Sequence, residues 1–444
     1  MRTSLTLKGL LLRSSGVLLI AAAAPAFADD QAAPAPAAAP AAATPPAPFL
    51  KISGHVEGGI TTNLDSQGTN PPLNWGHLFT DRANQPVLNQ AMLTVEHPID
   101  SSAKTANFGF RIQGVYGSDA RVTHTLGLFN NTTNNINQFD LFEAHVDAHL
   151  PILASGGMDI KAGIYPTLEG AEVMDGTGNF FYSHNYIFNF GVPLKHTGVM
   201  TVTHFSHGVD IYVGVDSGVN TSFGFGGDNN GAPAFHGGIG FTIGKNVTVL
   251  ATTHIGPEDA RGSVDFNGKV INVNSALRYL NDIVITAKIG SKLVSTTDIN
   301  YIRDDGYKVS GGGISEQLVY TLTDQVSLGL REEIWDDANN YFVSAFPGTH
   351  DYVLNEKGLF PASNTTIFAP NTPNQDTTYS EVTFGLNWKP KIPAYTKNFS
   401  LLIRPEARFD VALNKNSRPF LLNTAGFGTK KGQMTFGIDM IVGF

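Results

Sequence analysis

Along most of this chain, apolar residues alternate with polar or small ones. The final stretch, GQMTFGIDMIVGF, is the clearest case. Met434, Phe436, Ile438, Met440, Val442 and Phe444 occupy one parity, and Gln433, Thr435, Gly437, Asp439 and Gly443 the other, with Ile441 the exception. Period two is the signature of a β-strand. A soluble sandwich would also alternate, but its strands run nearer ~5–6 residues. A tilted membrane-spanning strand needs ~9–11, which this segment supplies.

The same alternation recurs from Phe49 onward, in rotation with short and long connections. Short turns are expected around 100–105, 153–157, 206–208, 244–246, 290–292, 323–325 and 389–397. Between them lie longer polar segments at 62–86, 118–138, 167–196, 218–233, 257–281, 304–311, 336–377 and 411–431. Seven short turns pair fourteen strands, and one more at each end gives about 16 with both termini on one side. The expected fold is therefore all-β: a transmembrane, antiparallel, up-and-down β-barrel with short periplasmic turns and long extracellular loops.

Charge placement fixes which face is which. In SLLIRPEARFDVAL, Leu401, Ile403, Pro405, Ala407, Phe409 and Val411 share one side, and Arg404, Glu406, Arg408 and Asp410 the other. Each basic residue forced to mid-lipid would cost roughly 2–4 kcal/mol, so the charged side must face the lumen. By the same parity, Phe142, Ala144, Val146, Ala148 and Leu150 point outward, and Glu143, His145, Asp147 and His149 inward. Phe108, Phe110 and Ile112 point outward, with Arg111 and Gln113 inward.

The N-terminus adds a destination. Residues 1–28 carry Arg2, Lys8 and Arg13, the apolar run GVLLIAAAA and an Ala-x-Ala site ending at Ala28, the pattern of a cleaved secretory signal. Residues 29–48 are Ala/Pro-rich and read as a semi-rigid periplasmic tether, leaving 49–444 as the barrel. Removing the leader takes three basic residues, so 26 basic against 38 acidic residues leave −12, which disfavours a nucleic-acid partner. No apolar run after the leader approaches 18 residues, so helical spans are not expected. The chain has no cysteine, which removes disulfides, thiolate metal sites and a Cys nucleophile.

The stretch 161–199 carries a more specific pattern: Gly163, Thr167, Gly170 and Glu172, then Asn179 and Ser183, then Gly191, Pro193, His196, Thr197 and Gly198. With LREEIWDD (330–337) and IRPEARFD (403–410), it resembles the outer-membrane β-barrel porin family of the OmpL-like type, over residues 49–444. The family pattern has an arginine after the serine, where this chain has His184. The resemblance implies a passive diffusion channel for small hydrophilic solutes in the outer membrane of a Gram-negative bacterium, without cofactor or catalysis. It also implies a C-terminal strand, Phe436, Ile438, Met440, Val442 and Phe444, addressed to the outer-membrane assembly machinery, and outer-membrane lipid around the barrel. Likeness to general porins implies a homotrimer and a third long loop, 167–196, folded into the lumen. Glu169, Glu172 and Asp175 would then face arginines such as Arg111, Arg404 and Arg408 across a constriction.

Other chemistry is less well supported. His145, Asp147 and His149 share a face, but alternate strand residues are ~7 Å apart, a stretched metal site, so no metal is assigned. Ser183-His184 and THFSH (203–207) hold the residue types of a hydrolase without a spacing that orients a base. The Gly-rich 223–231 segment lacks the lysine and following helix of a phosphate cradle. A plugged barrel used as a surface adhesin, through 336–377 and 411–431, and an outer-membrane hydrolase are the alternatives.

Overall fold

The computed structural model describes residues 49–66, 72–129, 136–206, 208–223, 230–343, 376–391, 399–422 and 428–444. The expected signal and tether, most of the 336–377 loop and most of the Gly-rich segment lie outside the described residues. Alternation becomes strand: β1 (Lys51–Asn63), β2 (Pro86–His97), β3 (Asn107–Gly117), β4 (Gln138–Leu150), β5 (Met158–Pro166), β6 (Lys195–Phe205), β7 (Val209–Asp216) and β8 (Ala234–Ile243) form the first half. The second half comprises β9 (Val247–Pro257), β10 (Leu277–Ile289), β11 (Leu293–Asp304), β12 (Val309–Thr323), β13 (Val326–Ala338), β14 (Thr377–Trp388), β15 (Ser400–Ala412) and β18 (Gly432–Gly443). Each pairs antiparallel with its neighbours, and β18 pairs with β1, closing a 16-strand barrel. A small hairpin, β16 (Phe420–Leu422) with β17 (Gly428–Lys430), stands apart in the last long connection. No helix among the described residues is long and apolar enough to cross a membrane.

Closure removes every sheet edge, so the strand N–H and C=O groups find partners around the whole ring. Phe444 completes the seam: its N–H donates to the Gly54 carbonyl (2.9 Å) and its carbonyl accepts from the Gly54 N–H (3.2 Å). Its ring lies over Gly54, where a Cβ would come within 2.7 Å of it. The connections alternate as expected, with one long-side exception: β11 and β12 are joined only by residues 305–308.

The outward band is apolar, with exposed Ile52, Val56, Leu93, Ile112, Phe384, Phe409 and Ile438. Aromatic rings gather at its two rims, Phe108, Phe205, Tyr320 and Trp388 at the short-turn end and Tyr116, Phe235 and Tyr301 toward the other. Arg404, Arg408 and Asp410 are buried inside, as the charge pattern requires. Phe142 departs from its expected outward position. Gln113 pairs with Glu143 and Gly114 with Leu141, so Phe142 is an extra residue in a β-bulge. The bulge resets the parity, and Phe142 turns inward, 1% exposed. It joins a lumenal apolar cluster with Trp75, Phe79, Phe188 and Trp335 beneath the long connections.

Ile438 sits near the midpoint of β18, on the outward band. Ile438→Arg should lower bilayer-inserted stability by about 2–4 kcal/mol, measured by reversible urea unfolding from vesicles. An unchanged midpoint would mean that this face does not meet hydrocarbon.

Candidate lumenal constriction

The connection 167–194 between β5 and β6 enters the barrel instead of standing above it. Its base is closed by the Thr167 N–H donating to the Leu194 carbonyl (3.1 Å). Inside, its backbone has no sheet partner, and buried peptide groups must be satisfied by other means. Wall side chains satisfy them. The N–H groups of Gly170 and Ala171 donate to Asp282 on β10 (3.0 Å) and Asp298 on β11 (2.8 Å). On the far wall, Gln90 of β2 donates to the Met174 carbonyl (2.7 Å). The Arg404 guanidinium on β15 donates to the carbonyls of Gly176 (2.7 Å), Asn179 (2.9 Å) and Phe181 (3.3 Å). Glu406 accepts from the N–H groups of Tyr182 (2.9 Å) and Ser183 (3.1 Å), and Glu333 from those of Tyr186 (2.6 Å) and Ile187 (2.8 Å). The loop is thus tied to strands on opposite sides of the barrel.

Shape follows the same anchoring. Gly329 and Gly385 are register partners on β13 and β14, facing the lumen. A Cβ on Gly329 would lie 2.2 Å from the Phe180 ring, and one on Gly385 2.8 Å from the Phe181 ring. Two bare positions on adjacent strands therefore receive two consecutive aromatic rings.

The three acids expected to form one wall of a constriction have different surroundings. Glu172 receives Arg331 Nη1 (2.7 Å), the Asn185 N–H (3.1 Å) and a contact with His184 Nδ1 (2.9 Å). Burial alone would raise its pKa, but the Arg331 charge and the His184 contact outweigh burial and hold the carboxyl at about 2. Asp175 accepts from the Thr177 N–H (3.0 Å) and from Gln113 (3.2 Å). Glu169 is buried, neither carboxyl oxygen has a hydrogen-bond partner, and burial pushes its pKa up to about 8.

The arginines are likewise paired. Arg111 bridges Glu96 (2.7 Å) and Glu143 (2.8 Å), and Arg404 meets Glu57 (2.8 Å) and Asp439 (2.7 Å). Arg408 meets Asp410 (2.7 Å) and donates to the His184 carbonyl (2.5 Å). His145 lies between Glu143 (2.9 Å) and Asp147 (3.1 Å), whereas His149 turns to Asp159 (2.6 Å), so these two histidines share no partner. Ser183 Oγ faces Arg331 (3.3 Å), and the His184 ring is taken up by Glu172 and by stacking on Phe188 at 4.4 Å. That pair is not arranged as nucleophile and base. Arg331, which also binds Glu381 (2.6 Å), was not singled out in the sequence. Its place in LREEIWDD was the available signal.

At the short-turn end a cleft of about 480 Å³ opens among Lys51, His55, Glu96, Arg111, Gln113 and Asp175. The arrangement draws the loop across the barrel interior with buried, paired charges and fixed dipoles, leaving a polar recess below the loop.

The model of the family described as "Putative beta-barrel porin-2, OmpL-like" matches residues 49–444. No curated protein matches the chain in sequence. Among solved structures, the outer membrane channel DcaP of Acinetobacter baumannii is similar at 9% identity, covering 89% of this chain and 97% of that one, with TM-score 0.51. OprB of Pseudomonas putida is similar at 11% identity, covering 89% and 94%, with TM-score 0.53. An anion-selective porin from Comamonas acidovorans is similar at 9% identity, covering 89% and 98%, with TM-score 0.51. At these identities the likeness is one of fold.

The depressed Glu172 carboxyl stabilises the folded state above the ordinary carboxylate pKa, and that contribution disappears as pH falls toward about 2. Glu172→Gln should therefore cost about 3 kcal/mol near pH 7 and almost nothing near pH 2, read from unfolding midpoints at both pH values. An equal cost at both would remove the ion pair as its cause.

Proposed function

The chain belongs to this β-barrel porin family and is an outer-membrane channel protein of a Gram-negative bacterium, and on that premise we propose that it conducts small hydrophilic solutes passively through a bore set by the 167–194 loop. The observation that carries this reading is the attachment of that loop, by its own backbone, to β2, β10, β11, β13 and β15. A barrel of this size leaves a lumen too wide for wall side chains to fill, so the loop decides what passes. Glu169, Glu172 and Asp175 on the loop, with Arg111, Glu143, His145, Asp147, Arg404, Glu406, Arg408 and Asp410 on the wall, are the proposed pore-lining set. Because the three arginines of this set are paired with carboxylates at short range, ion selectivity is weak. No bond is made or broken in this function.

Export and assembly follow the sequence pattern: residues 1–28 are removed after Ala28, 29–48 act as a tether, and Phe436, Ile438, Met440, Val442 and Phe444 address the chain to the insertion machinery. A homotrimer is proposed on a separate observation. Glu316 and Glu332 are cross-strand partners at mid-strand of β12 and β13, on the outward parity. Glu316 accepts from Ser295 (2.5 Å) and Thr297 (2.5 Å), and Glu332 is exposed. Carboxylates are unfavourable against lipid, and a neighbouring copy over this face would remove them from it.

In a planar bilayer, the refolded mature protein should give stable, small conductance steps with a reversal potential near zero under a salt gradient. Arg404→Gln, which releases three loop carbonyls, should raise the step several-fold. Silence from a correctly inserted barrel would favour the adhesin or hydrolase instead, and an unchanged step in the variant would detach the loop from control of the bore.

Glu316→Leu/Glu332→Leu should retain the fold and convert the trimer to monomer in light scattering of the detergent-solubilised protein. A monomeric wild type, or a double variant that remains trimeric, would overturn this oligomer assignment.

A further inference from the structure

On the wall opposite Arg404 and Arg408, seven or eight strands away around the ring, β6, β7 and β8 bring His196, Asp216 and His236 together. All three are buried. The two imidazoles stack with centroids 4.7 Å apart and planes 10° from parallel. Both present Nδ1 to one carboxylate oxygen, Asp216 Oδ2, at 2.9 Å from His196 and 2.7 Å from His236. Despite those distances, none of the three atoms makes an aligned hydrogen bond. Three buried polar atoms thus converge on one point and meet one another in contacts not aligned as hydrogen bonds.

The other ends of the same side chains are occupied. His196 Nε2 contacts the Thr167 hydroxyl (3.1 Å) and His236 Nε2 the Tyr165 hydroxyl (3.2 Å). A ring that donates from Nε2 keeps a lone pair on Nδ1, so these hydroxyls orient both rings as ligands. Asp216 Oδ1 accepts from the Gly218 N–H (2.7 Å) and meets His254 Nε2 (3.2 Å), which leaves Oδ2 for the convergence point. Glu169, whose carboxyl oxygens lack hydrogen bonds, is close enough to feel the charges of Asp216 and His254.

We propose that His196 Nδ1, Asp216 Oδ2 and His236 Nδ1 bind a divalent transition-metal cation of the Zn²⁺ class. Two imidazoles and one carboxylate suit Zn²⁺, Co²⁺ or Ni²⁺, and the absence of thiolate argues against soft Cu(I). The ion would join three adjacent strands. Through the Thr167 hydroxyl on His196, it would also steady the start of the 167–194 loop.

The mature protein, purified in detergent and stripped with a chelator, would be titrated with Zn²⁺ against a competing indicator and with Co²⁺ by visible absorbance. A single equivalent per chain is expected, with Co²⁺ bands typical of nitrogen and oxygen ligation. His236→Gln and Asp216→Asn should each abolish that uptake. Tyr165→Phe, which keeps the ligands, should weaken it about 10-fold. His97→Gln, at the exposed short-turn end, should leave it unchanged. Folded wild type without stoichiometric uptake, or uptake surviving in folded His236→Gln, would overturn the assignment. Should the ligand variants fail to fold, the wild-type Co²⁺ spectrum decides by itself.

Discussion

No backbone N–H or C=O can be left unpaired in hydrocarbon, and this constraint organises the molecule. It demands closure, which β1 and β18 supply through a nine-residue register from His55–Gly443 to Asn63–Thr435. Closure with extended strands leaves only two environments, outside and inside, and assigns successive residues to them in turn. Ile438 and Asp439 are neighbours in sequence, yet one is exposed on the outer band and the other is buried against Arg404. The constraint then applies again inside. A loop drawn into the lumen brings peptide groups with no strand to pair with, and they are satisfied by Arg404, Glu406, Glu333, Asp282 and Asp298.

What could be read from the sequence follows from where this constraint is local. Strand parity depends on residues two apart, so the β15 and β18 faces were legible, as was the rotation of short and long connections. Where parity depends on a partner strand, reading failed. Nothing in QFDLFEAHVDAHL marks Phe142 as the extra residue, because the bulge exists only in its pairing with β3. The ion pairs were illegible for the same reason. Glu172 and Arg331 are 159 positions apart, and their meeting depends on the path of a loop. Family-like stretches pointed to the right regions, LREEIWDD among them, without saying who pairs with whom. The His196, Asp216 and His236 cluster was hidden more deeply: His196 stands in the family-like stretch, but Asp216 and His236 carry no signal of their own, and only the register Gly198–Asp216 and Gly214–His236 aligns the three.

The density of buried charge needs its own explanation, because a buried ion pair seldom stabilises a fold more than an apolar replacement of the same volume would. Arg331 with Glu172 and Glu381, and Arg404 with Glu57 and Asp439, are therefore poor candidates for holding the barrel together. The sheet does that through its ladders. An apolar inner wall could pack against Phe180 and Phe181, as Gly329 and Gly385 do, but it could not satisfy the carbonyls of Gly176, Asn179 and Phe181 or the N–H groups of Tyr182 and Tyr186. Guanidinium groups meet the carbonyls, since each has five donors and can bind a wall carboxylate and loop carbonyls together, and the carboxylates of Glu406 and Glu333 accept from the loop N–H groups. The wall charges fix the loop, and on the function proposed above the loop sets the bore. The arginines that anchor the loop are also neutralised by wall carboxylates, so tight anchoring of the loop and the weak selectivity proposed above would have one physical origin.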